Sequence, residues 1–438
     1  MRILHITEYC HAGSFGGTER YILDLIRGLD VAGIHNSIGW LKPGRSSESL
    51  EADGVRIFKL PTPQMRVDAP VPEFSSSAIR LLETERPDLL HFHTFGLTEA
   101  ALAIFAKQRG IPYVFTYHSP AWTCRRETLL LYGKEPCDGE VRAWRCSACQ
   151  SGERSGCGRV ASHVATGISL AAGWAALPLK ATSLRRRTGF FYDTLGFRRA
   201  LRSFLAECDL VVSCSDWGTP VMIRNGARRE RVEQCPQGVP TLFAEATRSG
   251  VNSPAMGNAS EFVVGLVGRL VPDKGAHILM EAFSKLQGTQ ARLRIIGFNE
   301  QDRHSAYSQC LLDFARSDPR IELVPRKSFA ETLEEYKRLS LLAIPSVCFE
   351  TGPFTLLEAL ALDVPVFGSN RIGQLTLLRE HGRIVEPNTS DGWHRALTTA
   401  LALWKRGEWR RQQTSDSLRT MENVAAEMAT HYRTLREQ

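Results

Sequence analysis

Two carboxylates carry the strongest chemical signal in the sequence. In Glu350-Thr-Gly-Pro-Phe-Thr-Leu-Leu-Glu358 the first glutamate stands in a Gly/Pro loop after an apolar strand, and the second lies inside an apolar helical run. A carboxylate can accept from two adjacent hydroxyls at once, the contact that a ribose O2/O3 pair offers. A lone glutamate in such a run is ordinarily a solvated helix position, but Leu356, Leu357, Ala359 and Leu360 crowd Glu358. A second cluster, Val267-Gly268-Arg269-Leu270-Val-Pro-Asp-Lys274-Gly275, sets two cations between glycines and ahead of a helix. Glycine admits close backbone approach, arginine offers a planar fork and lysine a point charge, and a helix N-terminus favours anions. Alone, this cluster is equally an exposed basic loop.

The N-terminal half offers weaker signals. Gly13-Ser-Phe-Gly16-Gly17-Thr18-Glu19 opens the first helix after the first strand. It is not a dinucleotide fingerprint; it suits a phosphate or an acceptor, or is a plain strand–helix turn. His118 ends a strand in Tyr117-His118-Ser119 and can contact a sugar or handle a proton. His91 and His93 flank another strand end, where satisfied structural histidines are the favoured reading. Cys124, Cys137, Cys146 and Cys149, with Cys157 nearby, include one Cys-x2-Cys half-site of zinc spacing. A structural zinc stapling this loop stands against free thiols or an occasional disulfide. Arg185, Arg186, Arg187, Arg198, Arg199 and Arg202 interleave with Phe190, Phe191, Tyr192, Phe197 and Phe204. Such a segment can lie on anionic lipid or turn its aromatics inward.

These residues need elements to hold them. Apolar strands at Arg2–Thr7, Ile34–Trp40, Val55–Lys59, Leu89–His93 and Tyr113–His118 alternate with helices at Gly17–Leu29, Ala78–Glu85 and Glu99–Arg109. The order breaks over about 119–195, a Cys-, Arg- and Gly-rich insertion, and resumes at Leu210–Cys214. A second series begins at Glu261, with strands at Phe262–Gly268, Arg292–Gly297, Ile321–Pro325, Leu341–Pro345 and Val364–Gly368 and helices at His277–Gln287, Ser305–Arg316 and Phe354–Leu362. The last stretch, from Gly407, is helical in pattern. Repeated strand–helix order predicts an α/β fold with two parallel, Rossmann-like sheets, and ligands at the carboxyl ends of the strands. The expected domains are 1–240, with the insertion; 241–415; and a C-terminal helix, 416–438, packing back on the first.

At 438 residues, 43% hydrophobic and 23% charged, the chain has material for two cores. The net charge of +7 suits anionic partners. The N-terminus MRILHITEYC is too short and polar for a signal peptide. Val160–Leu179 is too diluted for a membrane span and is expected as a buried or interfacial helix. A cytoplasmic location follows as the expectation, in which disulfides are unusual and the sequons at Asn258 and Asn388 are chance.

Taken together, the Gly-Gly-x-Glu loop, the strand-end His, the Pro236-Gln237-Gly238-Val239 turn, Gly-Arg…Lys-Gly and Glu-x7-Glu resemble the retaining GT-B glycosyltransferases of glycosyltransferase family 4, the group 1 transferases. The resemblance spans nearly the whole chain and is more specific in its C-terminal half. It implies two Rossmann-like domains facing across a cleft, and transfer of a sugar, of the hexosyltransferase kind, from a nucleotide-diphosphate sugar to a glycan or lipid-linked acceptor. It further implies retention of configuration, bacterial polysaccharide assembly, no catalytic divalent metal, no nucleic acid, and possible contact with the inner face of an anionic membrane. By similarity, Glu358 holds the ribose hydroxyls, and Glu350 the donor sugar, with the backbone of Thr351, Gly352, Pro353 and Phe354 beside it. Arg269 and Lys274, beside Gly268, neutralise the diphosphate; Gly16 and Gly17 approach phosphate and acceptor; His118 lies against the sugar. The sequence departs from the family in Glu350-Thr-Gly-Pro-Phe354 and Gly373-Gln374-Leu-Thr, which bears on donor identity. The rivals are a nucleotide-sugar epimerase of the same fold and a non-catalytic binding protein.

Overall fold

Runs of Val, Ile, Leu and Phe with no polar alternation become central strands when helices cover both faces of a parallel sheet. That happens twice here. The computed structural model describes residues 1–8, 16–42, 48–52, 54–62, 72–155, 158–176, 190–249, 260–302, 305–410, 414 and 417–437. It divides into Met1–Pro236 with Val424–Gln438, and Gln237–Asn423.

The first unit runs β1 (Arg2–Thr7), α1 (Gly17–Val31), β2 (His35–Lys42), β3 (Glu48–Ala52), β4 (Val55–Pro61), α2 (Pro72–Glu85), β5 (Leu89–Phe92), α3 (Leu97–Gln108) and β6 (Tyr113–Tyr117). A small hairpin follows, β7 (Leu130–Leu131) and β8 (Glu135–Pro136), then α4 (Ala143–Ser155), α5 (Arg159–Ala176) and α6 (Phe190–Glu207). β9 (Leu210–Ser213), α7 (Gly218–Arg224) and β10 (Val232–Gln234) complete the sheet. Its order is β10-β9-β6-β5-β1-β2-β4-β3. All neighbours are parallel except β3, an antiparallel edge strand on β4 that its polar sequence, ESLEA, does not announce. β5 and β6 are buried along their whole length, and Phe92, Phe115 and Phe204 fill the core between sheet and α6.

The second unit opens with α8 (Thr241–Arg248) and continues β11 (Phe262–Val267), α9 (Ala276–Ser284), β12 (Ala291–Phe298), α10 (Ala306–Ser317), β13 (Ile321–Pro325), α11 (Phe329–Lys337), β14 (Leu341–Ile344), α12 (Phe354–Ala361), β15 (Val366–Ser369), α13 (Leu375–His381), β16 (Gly382–Val385) and α14 (Ser390–Lys405). Its six parallel strands run β13-β12-β11-β14-β15-β16. The order reverses between β11 and β14, and the crevice outside their carboxyl ends is where such sheets bind ligands. In the first unit the same reversal falls between β1 and β5.

Three expectations change in detail. α2 begins at Pro72 rather than Ala78. The helical pattern after Gly407 becomes a helix only at α15 (Met421–Glu437). The helix expected from Val160 is α5, and it is patterned inside out. Ser162, Thr166 and Ser169 face inward, while Val160, Val164 and Ile168 are 80, 58 and 60% exposed. Ser162 and Thr166 bond to backbone carbonyls one turn earlier, and Ser169 accepts from the Phe191 amide, so the buried hydroxyls are satisfied.

α15 closes on the first unit. Val424, Met428, Ala429 and Tyr432 are buried, and the Tyr432 hydroxyl lies 2.6 Å from His91 Nδ1. Tyr432→Phe leaves that ring nitrogen buried without its partner, a cost of about 1–3 kcal/mol. Urea unfolding followed by circular dichroism should show that loss; an unchanged midpoint would mean the contact adds nothing.

Candidate active site

At the reversal point of the second sheet, two loops are pinned to one another. Gly275 has a left-handed φ of 73°, and a Cβ there would overlap the Pro345 carbonyl oxygen. Only glycine lets the Arg269–Lys274 loop lie against the end of β14. The Asp273 carbonyl accepts the Val347 amide at 2.7 Å. This seam brings Lys274 Nζ to 2.5 Å from Glu350 Oε2. The Ser346 hydroxyl donates to the other Glu350 oxygen, and the Glu350 amide donates to the Arg371 carbonyl at 2.9 Å. The Glu350 side chain is 9% exposed and that of Lys274 27%, so the pair is shielded on the carboxylate side and open on the ammonium side.

Glu358 sits on α12, buried in the helix that the Glu350 loop opens. Its Oε2 accepts from the Tyr336 hydroxyl at 2.7 Å. Burial first, then the Glu358 charge, hold the Tyr336 phenol well above its ordinary pKa, which keeps it a donor. Arg269 is exposed. Of the four charged residues singled out in the sequence, Lys274 and Glu350 are in direct contact. Thr351, Pro353 and Phe354 are buried. Pro353 has no N–H, so the N–H groups of that stretch are those of Thr351, Gly352 and Phe354. Gly352 lies between two carboxamides: a Cβ there would come within 3.0 Å of Gln237 Oε1 and 3.4 Å of Gln374 Nε2, and Gln374 Nε2 donates to the Gln237 carbonyl at 3.2 Å. The Pro236–Val239 turn and the departure from the family pattern at Gln374 therefore both wall this loop.

The first unit holds a chain of histidines at its own reversal point. His5 pairs in register with His91 across β1 and β5. Asn36 Oδ1 lies 3.0 Å from His5 Nε2, His5 Nδ1 is 3.0 Å from His93 Nε2, and His93 Nδ1 is 3.0 Å from His118 Nε2. The Asn36 amide nitrogen donates to Asp30 and to the Ile34 carbonyl, so its oxygen faces His5. That orientation assigns a proton to each Nε2 in turn and leaves His118 with an unprotonated Nδ1. Burial lowers the His5 pKa to about 4 and that of His118 to about 3, and holds His91 and His93 well below the ordinary value; the chain is neutral. Nitrogens of His5, His91 and His93 lie close enough together to hold a metal, but lone pairs of His5 and His93 already accept within the chain.

The sequence did not single out Ser346, Tyr336, Asn36 or His5. A histidine inside the apolar run of the first strand, in register with His91-x-His93, was the signal for the last. Glu99 was missed too. It is fully buried, and burial, then the Glu8 charge, raise its pKa to about 8, while the Thr94 hydroxyl bridges it to the Glu8 amide. Gly16 and Gly17 lie at the start of α1, where the Glu19 carboxylate fills the space beside Gly16. Cys124, Cys137, Cys146 and Cys149 line one small cavity. Arg198, Arg199 and Arg202 lie on α6, whose Phe197 and Phe204 point inward. Gly13, Cys157 and Arg185–Arg187 lie outside the described residues.

Comparison with known proteins gives this geometry relatives. A family model described as Glycosyltransferase Family 4 matches residues 15–147, and one described as Glycosyl transferases group 1 matches residues 256–415. A capsular polysaccharide biosynthesis glycosyltransferase of Staphylococcus aureus, CapM, is 32% identical over 129 residues, 28% of this chain. The match spans about a third of that curated relative, 33%. Among solved structures, sucrose-phosphate synthase from Thermosynechococcus elongatus superposes with a TM-score of 0.67 at 17% identity, covering 99% of this chain and 98% of that one. HepE from Anabaena, in complex with UDP and glucose, gives 0.62 at 16% identity, with 99% of each chain covered. These likenesses establish the GT-B fold.

The histidine chain makes a pH prediction. Unfolded histidines take protons below about pH 6.5, while folded His5 and His118 resist until about 4 and 3. Their contribution to stability is full above pH 6.5 and is lost as pH falls toward the folded values. The thermal midpoint of the protein should drop between pH 6.5 and 4, and His5→Gln should flatten that drop. Parallel profiles for the two proteins would refute a titrating histidine chain.

Proposed function

The chain belongs to glycosyltransferase family 4, with a group 1 glycosyl transferase domain in its second unit, and from that premise we propose that it moves a sugar from a nucleotide-diphosphate sugar to a glycan or lipid-linked acceptor, with retention of anomeric configuration. The observation that carries this reading is the Lys274–Glu350 pair at the carboxyl edge of β11 and β14. It combines a cation open to solvent with a carboxylate whose orientation Ser346 fixes. HepE was solved with UDP and glucose, and the reading gives this chain a donor of the same chemical class. The partial likeness to CapM supports bacterial polysaccharide assembly as its setting.

The chemistry follows from charge. Breaking the anomeric bond leaves negative charge on the diphosphate. Arg269 and Lys274 meet it, and preorganised countercharge of this kind supplies most of the rate enhancement in many enzymes. Glu350 accepts from sugar hydroxyls. Glu358, oriented by Tyr336, accepts from the ribose. Thr351, Gly352 and Phe354 supply amides, and Gly268 leaves room for the phosphates. The family resemblance assigns Gly16 and Gly17 to phosphate and acceptor, and His118, which burial keeps neutral, to the sugar. The acceptor hydroxyl attacks from the leaving-group face and its proton passes to a diphosphate oxygen, so no carboxylate forms a covalent sugar adduct and no divalent metal is called for.

The inside-out helix α5 bears on where the acceptor is met. No helix among the described residues is long and apolar enough to cross a membrane. An exposed stripe of Val160, Val164 and Ile168 beside Arg159 suits shallow insertion into an anionic bilayer surface, the place to find a lipid-linked acceptor.

Three measurements test the proposal. A thermal-shift screen with UDP-, GDP-, ADP- and TDP-sugars should find one base that stabilises the protein by mass action. Lys274→Ala should then lower kcat/KM on the order of a hundredfold or more, and nuclear magnetic resonance of the product should show the donor's anomeric configuration. An inverted product would overturn the stereochemical part, and no shift with any sugar nucleotide would overturn the whole. Separately, Val164→Asp with Ile168→Asp should weaken co-sedimentation with vesicles rich in anionic phospholipid by roughly tenfold or more; equal binding of both proteins would remove α5 from the membrane contact.

A further inference from the structure

The loop that follows His118 gathers four thiols from three separate stretches of chain. Cys124 lies just after the short turn Pro120–Trp122. Cys137 follows β8, and Cys146 and Cys149 stand three apart on α4, hence on one face of that helix. All four line a single cavity of about 20 Å³, room for one water-sized occupant. Cys124 and Cys137 each lie within electrostatic range of the other three. Cysteines that merely fill a core look different here: Cys208, Cys214 and Cys235 are buried one by one in and around the first sheet.

Hydrogen-bond donors and cations stand beside these sulfurs. The Tyr132 amide donates to Cys149 Sγ at 3.1 Å, and the Arg142 amide to Cys146 Sγ at 3.3 Å. The Gly139 amide, two residues on, donates to Cys137, in a turn that needs the left-handed φ of 75° at Gly139. Arg126 and Arg145 also line the cavity. Arg145 is fixed by the Asp138 carboxylate and the Glu140 carbonyl. The turn is anchored from outside: the Asn225 side chain donates to the Gly139 carbonyl at 2.8 Å and accepts the Val141 amide at 2.9 Å.

We propose that Cys124, Cys137, Cys146 and Cys149 bind one structural zinc ion. The four thiols release their protons to solvent as four Zn–S bonds form. The resulting centre carries two negative charges, which Arg126, Arg145 and the three amides offset. Tetrahedral thiolate zinc has Zn–S bonds of about 2.3 Å and therefore sulfurs about 3.8 Å apart. No three of these sulfurs lie within 4.8 Å of one another among the described residues, so binding draws them inward around the cavity. The ion ties the stretch after His118 to α4, and its presence is independent of the donor or acceptor the protein uses.

The test uses the full chain, purified without a polyhistidine tag or chelator. Elemental analysis should find about one zinc per chain, and cobalt substituted for it should show the absorption of a tetrahedral tetrathiolate. Cys137→Ser and Cys146→Ser should each lose the metal. If these variants fail to fold, the unaltered protein still decides: under native conditions maleimide should spare four thiols and modify them after zinc is stripped by a chelator. Zinc far below one per chain, an intact mass showing disulfides among these cysteines, or iron with sulfide in place of zinc would each overturn the proposal.

Discussion

A carboxylate at the end of β14 is shielded from water, and the charge it carries there must be answered. Lys274 answers it from another loop, and the local fold follows from that requirement. The ammonium reaches Glu350 only because Gly275 turns left-handed against Pro345 and the Asp273 carbonyl takes the Val347 amide. Removing one partner of such a pair strands the other, so Ser346, Arg371 and the glycine are all bound to its geometry. The same arrangement leaves the ammonium half open, and an anionic ligand arriving there competes with Glu350 for a cation already in place.

The first unit meets a comparable problem without charge. Four histidines stand at its sheet reversal, and burial keeps them uncharged. Direction then comes from Asn36, whose amide group is fixed by Asp30 and Ile34 and passes a definite donor-to-acceptor sense along His5 and His93 to His118. His118 thus owes its tautomer to a side chain on β2, which β5 and β1 separate from β6 in the sheet order β6-β5-β1-β2.

The sheets were legible in the sequence because central parallel strands leave an unbroken apolar trace. Lys274, Glu350 and Glu358 were legible because charges beside glycines or inside leucine runs are locally out of place. What the sequence hid is whatever depends on a distant partner. Tyr336 is an ordinary helix residue until α11 is set beside Glu358. Gln237 and Gln374 are loop residues until Gly352 lies between them. β3 is five residues long with two glutamates, too short and polar to stand out, and it is a strand through its antiparallel pairing with β4. For α5 the sequence left burial and an interfacial position both open; its apolar stripe is exposed because its Ser and Thr side chains find backbone partners and can face inward at little cost.

The boundary between the units falls inside α15, whose first residues count with the second unit and whose remainder counts with the first. On a ribosome, β1 to β10 emerge early and then wait while all of the second unit is made before Tyr432 can reach His91. The first unit is thus the first begun and the last finished. Its histidine core stays one hydrogen bond short throughout that interval.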